Sequence, residues 1–289
     1  MIVLTALAGC THLEWAGGAW SKGEGDLLYN MVEDKGGETI KEGEVVELSV
    51  TARTEEDSLV WSSADYDRPA LVKRERSLFK GDLFSALGLL SEGDSAVVRI
   101  NIDSMEFKMG VPRPGTTKGR YLIYTMRIGH VVHRGKLPDS LYAAKVDTFL
   151  EARLDRLKLE EPMKVDAFVT RQHWTTTVTS SGLRYSWIQK GTGPAPMQGD
   201  TMEIKYTGRL MSGKVIASTE VARIPYSIYG TIPGFSEMST SMPKGSKVKA
   251  LIPSALAYGR EGRDGSIQAY TPLVYEMEMV DIIHPAGVR

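Results

Sequence analysis

The side chain best placed for chemistry is Tyr258, at the end of the stretch LIPSALAYG (Leu251 to Gly259). Val248, Ala250 and Ile252 alternate with Lys247, Lys249 and Leu251, the period-two pattern of a strand with a buried face. Pro253 stops that strand, and a short turn delivers Tyr258 beside Gly259. A tyrosine so presented offers a flat apolar ring with a hydroxyl at its tip, suited to gripping a substrate rather than attacking one. Other chemistries find little footing. Cys10 is the only cysteine, so neither an intrachain disulfide nor a cysteine-based metal site can form. The five histidines (His12, His130, His133, His173 and His284) are scattered. His130 and His133, three apart at an expected strand end, fall on opposite faces. GTGPAP (Gly191 to Pro196) lacks the strand–turn–helix of a dinucleotide site, and no P-loop or lipase-type nucleophile elbow occurs. No cofactor and no metal are called for.

The elements that position Tyr258 occur twice. Residues Leu27 to Ser63 align without a gap on Leu183 to Thr219. Tyr29 falls on Tyr185, Gly43 on Gly199, Glu47 on Glu203, Thr51 on Thr207 and Ser62 on Ser218. Further on, Phe84-Ser85 matches Phe235-Ser236, Gly93 matches Gly245, and Leu122, Tyr124 and Met126 match Leu273, Tyr275 and Met277. So long a period means two copies of one domain, not a solenoid. Each copy reads as several alternating strands and one short helix (Phe84 to Leu90; Phe235 to Met242) closed by a glycine. The expected fold class is α+β, an antiparallel sheet with its apolar face laid on the helix.

Between the copies, Pro138 to Glu161 is expected to be helical, with Tyr142, Val146, Phe149, Arg153 and Leu157 along one stripe. Pro162 is expected to break it, a short amphipathic segment to follow, and a Thr/Ser-rich linker to run from Thr175 to Ser181. The stripe suits packing on a domain, and a homodimer seam is the alternative. The length of 289 residues fits about two domains. With 35 Lys and Arg against 36 Asp and Glu there is no basic field and no basic run, which argues against nucleic acid.

Six ordered motifs in the second copy carry a family resemblance: SGLRY, KYTGRLMSGK, IPGFSEM, MPKGSK, IPSALAYG and PLVYEMEMVDI, between Ser181 and Ile282. On these the segment resembles the FKBP family of peptidyl-prolyl isomerases. That resemblance implies a curved sheet wrapped round a short helix, with a shallow apolar pocket between them. It implies Tyr258, Phe235 and Tyr206 as catalytic positions, Phe235 being the floor, and Tyr226, Ile232, Ile267, Tyr275 and Ile216 as substrate-binding ones. These residues are aromatic or branched and include no nucleophile–base pair, so their own chemistry agrees. The partners implied are proline-containing polypeptides, with exported proteins assisted in folding. Two departures stand out. Ile216 and Ala217 occupy the place of the family's aromatic–aspartate pair, which lowers expected turnover and keeps a peptide-binding chaperone or structural lipoprotein as the alternative. In the first copy Val50 replaces Tyr206, Trp61 faces Ala217 and Glu106 faces Tyr258, so that copy is not expected to be an isomerase. Its segment SMEFKMGVPRPG (Ser104 to Gly115) reads as a loop exposing Met and Phe beside prolines.

The opening MIVLTALAGC resembles a bacterial lipobox, with small Ala8 and Gly9 before a lipidated Cys10. Acyl chains there anchor a protein to a membrane without a spanning helix. This implies a bacterial cell envelope location, on the outer membrane facing the periplasm. A short buried strand with an inert thiol is the alternative. The expected organisation is a signal remnant at 1–10, a tether at 11–25, a degenerate domain at 26–135, a helical linker at 136–180 and an isomerase domain at 181–289.

Overall fold

The computed structural model describes residues 19–115, 117–227 and 230–285. The lipobox and Cys10 lie outside the described residues. The N-terminal sheet contains β1 (Ser21–Lys22), β2 (Leu28–Glu33), β3 (Val45–Thr54), β4 (Leu59–Ser62), β5 (Ala70–Lys73), β6 (Ser95–Asn101) and β7 (Tyr121–Val132). Its order is β1-β2-β6-β7-β3-β4, with β5 also on β3. The C-terminal sheet contains β8 (Thr177–Val178), β9 (Arg184–Gln189), β10 (Thr201–Leu210), β11 (Val215–Pro225), β12 (Lys247–Ile252) and β13 (Leu273–Ile283), ordered β11-β10-β13-β12-β9-β8. Replacing β9, β12, β13, β10 and β11 by β2, β6, β7, β3 and β4 turns one order into the other. The sequence repeat is therefore a repeat of topology.

Each sheet is antiparallel and apolar on the face its helix covers. In β10, Met202 and Ile204 are buried while Lys205 between successive inward positions is exposed, the alternation a half-buried strand requires. Helix α1 (Leu83–Leu87) starts where the Asp82 carboxylate accepts from Ser85 N at 2.8 Å. Helix α4 (Pro233–Thr240) starts on a proline, whose missing N–H and fixed φ suit the first turn. Its Phe235 and Met238 join Leu183, Ile204, Ala250, Leu273 and Met277 in one core. Leu27, Leu48, Leu87, Val98 and Met126 build the equivalent core of the first domain.

Four expectations need correction. The chain is already paired at Ser21 and Lys22, which meet Tyr29 and Leu28, so the segment before residue 26 is not all tether. Ser104 to Gly115 is not a plain loop: α2 (Ile102–Met109) begins where Asn101 Oδ1 accepts from Ser104 N at 2.9 Å and ends on Gly110 at φ 66°. Phe107, on that helix, is 82% exposed. The Thr/Ser-rich linker contains β8, which pairs with Arg184 and Tyr185.

The last correction concerns the linker helix. α3 runs from Asp139 to Arg171 straight through Pro162. A proline deprives the carbonyl four residues earlier of its donor; here that residue is Lys158, which is exposed and can turn its carbonyl to water. Packing on both sides outweighs the lost bond. Tyr142, Val146 and Phe149 lie against Val45 and Val132 of the first domain. Val165 and Phe168 lie against Leu251 and Val274 of the second. One helix is thereby docked on both domains through its apolar stripe.

Candidate functional site

The site is an aromatic cup where α4 packs on the C-terminal sheet. Phe235 is its floor, set in the first turn of α4 and 3% exposed. That helix can approach so closely because residue 234 is glycine: a Cβ there would lie 2.4 Å from Ile252 Cγ2 on β12. Two tyrosines stand over the floor. Tyr206 of β10 and Tyr275 of β13 present their rings edge-on to Phe235, with centroids 5.2 and 5.4 Å away and interplanar angles of 76° and 78°. The two tyrosine rings are 5.9 Å apart. Edge-on packing sets the positive rim of one ring against the negative face of another.

Tyr275 reaches the cup only because its neighbour across the ladder is Gly208. A Cβ on residue 208 would meet Tyr275 Cζ at 2.7 Å and Cε1 at 2.8 Å. Burial pushes the Tyr275 hydroxyl up to about 12, with the Tyr258 and Tyr206 hydroxyls adding to the rise and Arg263 opposing it. The ring is therefore neutral at any physiological pH.

The rim comes from two loops. After β12, Ser254–Leu256 form a 3-10 turn that delivers Tyr258, half-buried against the same core as Phe235. Both Ser254 polar groups donate to the Glu161 carboxylate of α3, N at 2.6 Å and Oγ at 2.5 Å. The loop returns to β13 through Ile267, buried in the cup's core, and closes where Tyr270 N donates to the Gly259 carbonyl at 2.7 Å. Arg263 of this loop donates from Nη1 to the Tyr258 hydroxyl at 2.7 Å, its guanidinium carbon 5.2 Å from the ring centre. Opposite, Ile232 packs on the core as the cap of α4, and its N–H donates to no acceptor among the described residues.

Seven of the eight expected pocket residues thus converge: Phe235, Tyr275 and Ile267 within the core, and Tyr206, Ile216, Ile232 and Tyr258 packed against it. Tyr226 does not join them. It is half-buried just past the end of β11, and its N–H donates to the Asp200 carbonyl at 2.7 Å, which ties its backbone to the far end of β10. Sequence reasoning passed over Gly208, quoted only inside a motif, and Arg263, a charge among other loop charges. The Gly–Tyr pair across two strands was the findable signal; Arg263 had none. With Ala217 in place of an acid, the Tyr206 hydroxyl has no partner among the described residues. Among the described residues no cluster of His, Cys, Asp and Glu could hold a metal.

The first domain lacks the counterpart. Val50 lies where Tyr206 does, and α2 replaces the Tyr258 loop, carrying Glu106 outward. Arg74 packs over α1, donating to the carbonyls of Phe84 and Ile40 at 2.9 Å each.

The ring-lined cup carries a hydroxyl and an N–H without an acceptor among the described residues at its rim, an arrangement suited to gripping an apolar group rather than attacking one. Residues 193–280 match the family model "FKBP-type peptidyl-prolyl cis-trans isomerase". Over those residues the C-terminal domain is similar to that family. The chain is 39% identical over 107 residues to the FKBP-type 22 kDa peptidyl-prolyl cis-trans isomerase of Escherichia coli K12, covering 36% of this chain and 52% of the relative. It is 36% identical over 152 residues to the isomerase FkpA of Aeromonas hydrophila, covering 50% and 56%. It is 33% identical over 135 residues to the Outer membrane protein MIP of Legionella longbeachae, covering 45% and 58%. The chain thus spans about half the length of the curated relatives it matches.

Proposed function

We propose that the protein is a peptidyl-prolyl cis-trans isomerase acting on proline-containing polypeptides through the cup around Phe235. The observation that carries this reading is the three-ring cup with Tyr258 and Ile232 on its rim. Rotation about an amide faces a barrier of ~18–20 kcal/mol, and at X–Pro bonds both isomers are accessible. The twisted transition state loses amide resonance and with it the charge separation of the planar ground state. An apolar cup therefore favours the twisted form, which is differential binding of the transition state. Phe235 receives the prolyl ring. The Tyr258 hydroxyl has a lone pair engaged by Arg263, which leaves its proton for the carbonyl preceding the proline. Ile232 N–H takes a second substrate carbonyl. No covalent intermediate and no proton transfer are needed.

The test is the rate of prolyl-peptide isomerisation with the full chain. Acceleration over the spontaneous rate is expected, and its absence overturns the reading in favour of a peptide binder without turnover. That second reading is favoured by one observation: Ile216 and Ala217 leave Tyr206 without the acid the family places beside it. We further place the protein in the bacterial cell envelope, held by acyl chains on Cys10. The lipobox-like MIVLTALAGC and the relative named an outer membrane protein support this. Mass spectrometry of the protein from its native membrane is expected to find a diacylglyceryl adduct on Cys10, and an unmodified thiol there refutes it.

A further inference from the structure

The loop that carries Tyr258 is held in large part from outside its own domain. Between β4 and β5 the first domain makes a 3-10 turn, Ser63–Tyr66, capped by the Ser62 hydroxyl and left through Asp67 at φ 56°. The second domain has nothing like it, because β11 runs unbroken through the aligned positions after Ser218. The extra turn reaches the second domain at two places. The Ser212 hydroxyl donates to the Asp65 carbonyl at 2.7 Å. Lys214 Nζ donates to the Tyr66 hydroxyl at 2.7 Å and sits 4.0 Å from that ring's centre. Both residues belong to the turn that leads into Ile216.

The second place is the Tyr258 loop itself. Arg68 Nη1 donates to the Ala269 carbonyl at 2.6 Å. Its Nη2 donates to the Thr271 hydroxyl at 3.0 Å and the Tyr270 carbonyl at 3.4 Å. Its Nε is fixed in turn on the Tyr66 carbonyl at 3.3 Å. Residues 269–271 are the returning limb of the loop, and Tyr270 sits at φ 51°, a left-handed conformation that a tyrosine keeps only when its surroundings over-determine it. Arg68 supplies that constraint by holding the groups at 269, 270 and 271 together. The hydrogen bond from Tyr270 N to the Gly259 carbonyl then carries the constraint to the residue next to Tyr258. The remaining space at this junction, lined by Tyr66, Arg68, Glu161, Met211, Tyr270 and Pro272, is about 10 Å³, too little for more than one water.

We propose that the first domain is a built-in positioning element for the active site of the second, and that Arg68 is its positioning residue. This rests on the isomerase reading for its catalytic consequence. A loop released by loss of Arg68 spends less time in its binding-competent form, and apparent affinity falls by the lost fraction while the step after binding is unchanged. General stabilisation by domain contact would act otherwise. Tyr142 is the comparison: its hydroxyl bonds Val45 N and the carbonyls of Val132 and Gly43, tying α3 to the first domain and touching nothing in the second.

The experiment compares the full chain with Arg68→Ala, Arg68→Lys and Tyr142→Phe, by prolyl-peptide kinetics and by amide hydrogen exchange. Arg68→Ala is expected to raise KM about tenfold with kcat held within about twofold. Amides of residues 259–271 should exchange faster while those of β10, β12 and β13 do not change. Arg68→Lys should fall between the two, and Tyr142→Phe should lower Tm without moving KM or the loop. An Arg68→Ala chain with wild-type KM and loop exchange overturns the proposal, as does a Tyr142→Phe chain that reproduces its effects. If the wild-type chain turns over no substrate, the isomerase reading fails by itself. Loop exchange then still decides for positioning if Arg68→Ala speeds it, and against if it does not.

Discussion

On the isomerase reading, Arg263 is expected to make the cup sensitive to the charge of a bound peptide. Its Nη1 lies 2.7 Å from the Tyr258 hydroxyl, and none of its contacts is to a carboxylate among the described residues. A carbonyl accepting from that hydroxyl lies about 2.7 Å further on. The side chain one carbon from that carbonyl, on the residue preceding the proline, then falls about 6 Å from the guanidinium. Arg263 is exposed, so the dielectric of water applies, and two unit charges at that distance interact by about 0.7 kcal/mol. Glutamate before the proline gains this and lysine loses it. The difference of about 1.4 kcal/mol makes the glutamyl-prolyl peptide about tenfold better in kcat/KM at low salt. Arg263→Ala should bring the ratio close to one, and Arg263→Glu should invert it. In 1 M salt, where the screening length is about 3 Å, the wild-type ratio should also collapse. Glu261 and Asp264 share the loop and are present in every variant, so they cancel in the comparison. Equal rates for the two peptides in the wild type, or a preference that survives Arg263→Ala, would refute the reasoning.

Replacing the floor, Phe235→Leu, should lower kcat/KM at least tenfold by removing ring contact with proline, whereas Phe84→Leu at the matching site of the first domain should leave it within about twofold; similar losses in both would mean that the assay reports stability. Gly208→Ala should lower kcat/KM comparably with far-UV circular dichroism unchanged, since the new Cβ displaces only the Tyr275 ring; its cost in stability is about 1–3 kcal/mol, read from a urea titration. Alkali should unfold the protein in a defined window. Burial raises Tyr275 and Tyr124 each to about 12, so the unfolded chain ionises first. The stability these tyrosines contribute is complete below pH 10 and is lost as pH rises from 10 to 12, by about 2–3 kcal/mol for each. Denaturant midpoints across that range should fall, and fall less in Tyr275→Phe; a flat profile would contradict the burial of both rings.

What the sequence made legible was whatever repeats or alternates. Val46, Leu48 and Val50 against Met202, Ile204 and Tyr206 established two copies of one sheet, and Phe235 and Tyr258 could be assigned to one hollow because the ordered motifs fix their spacing. Contacts between units left no trace of that kind. Arg68 and Thr271 are 203 positions apart, and nothing around either distinguishes a loop-gripping arginine from a solvated one. Glu161 looked like the last residue before a helix break, yet the helix continues and the carboxylate binds Ser254. Pro162 misled for a physical reason: propensity prices the lost hydrogen bond and not the docking of Leu157, Val165 and Phe168 on either side. In α2, a capping asparagine, Asn101, starts a helix that Gly110 ends ahead of the prolines, so a proline-rich stretch and a helix lie side by side.

The divergence of the two copies can be followed to single atoms. Tyr124 and Tyr275 are matched, and each faces a residue of the neighbouring long strand: Ala52 for Tyr124, Gly208 for Tyr275. At Gly208 the absence of a Cβ lets the Tyr275 ring lie across the strand and meet Phe235 and Tyr206. At Ala52 the methyl occupies that space. Tyr124 instead packs, half-buried, against the aliphatic core of its own domain, with Val50 where the second tyrosine of the cup would stand. A cup needs both the gap and the second ring, and the first copy has neither. The stretch matching β11 is split into β4 and β5, and between them lies the turn from which Asp65, Tyr66 and Arg68 reach the second domain. The stretch that walls the cup in the second copy thus supplies, in the first, the contacts that reach across to it.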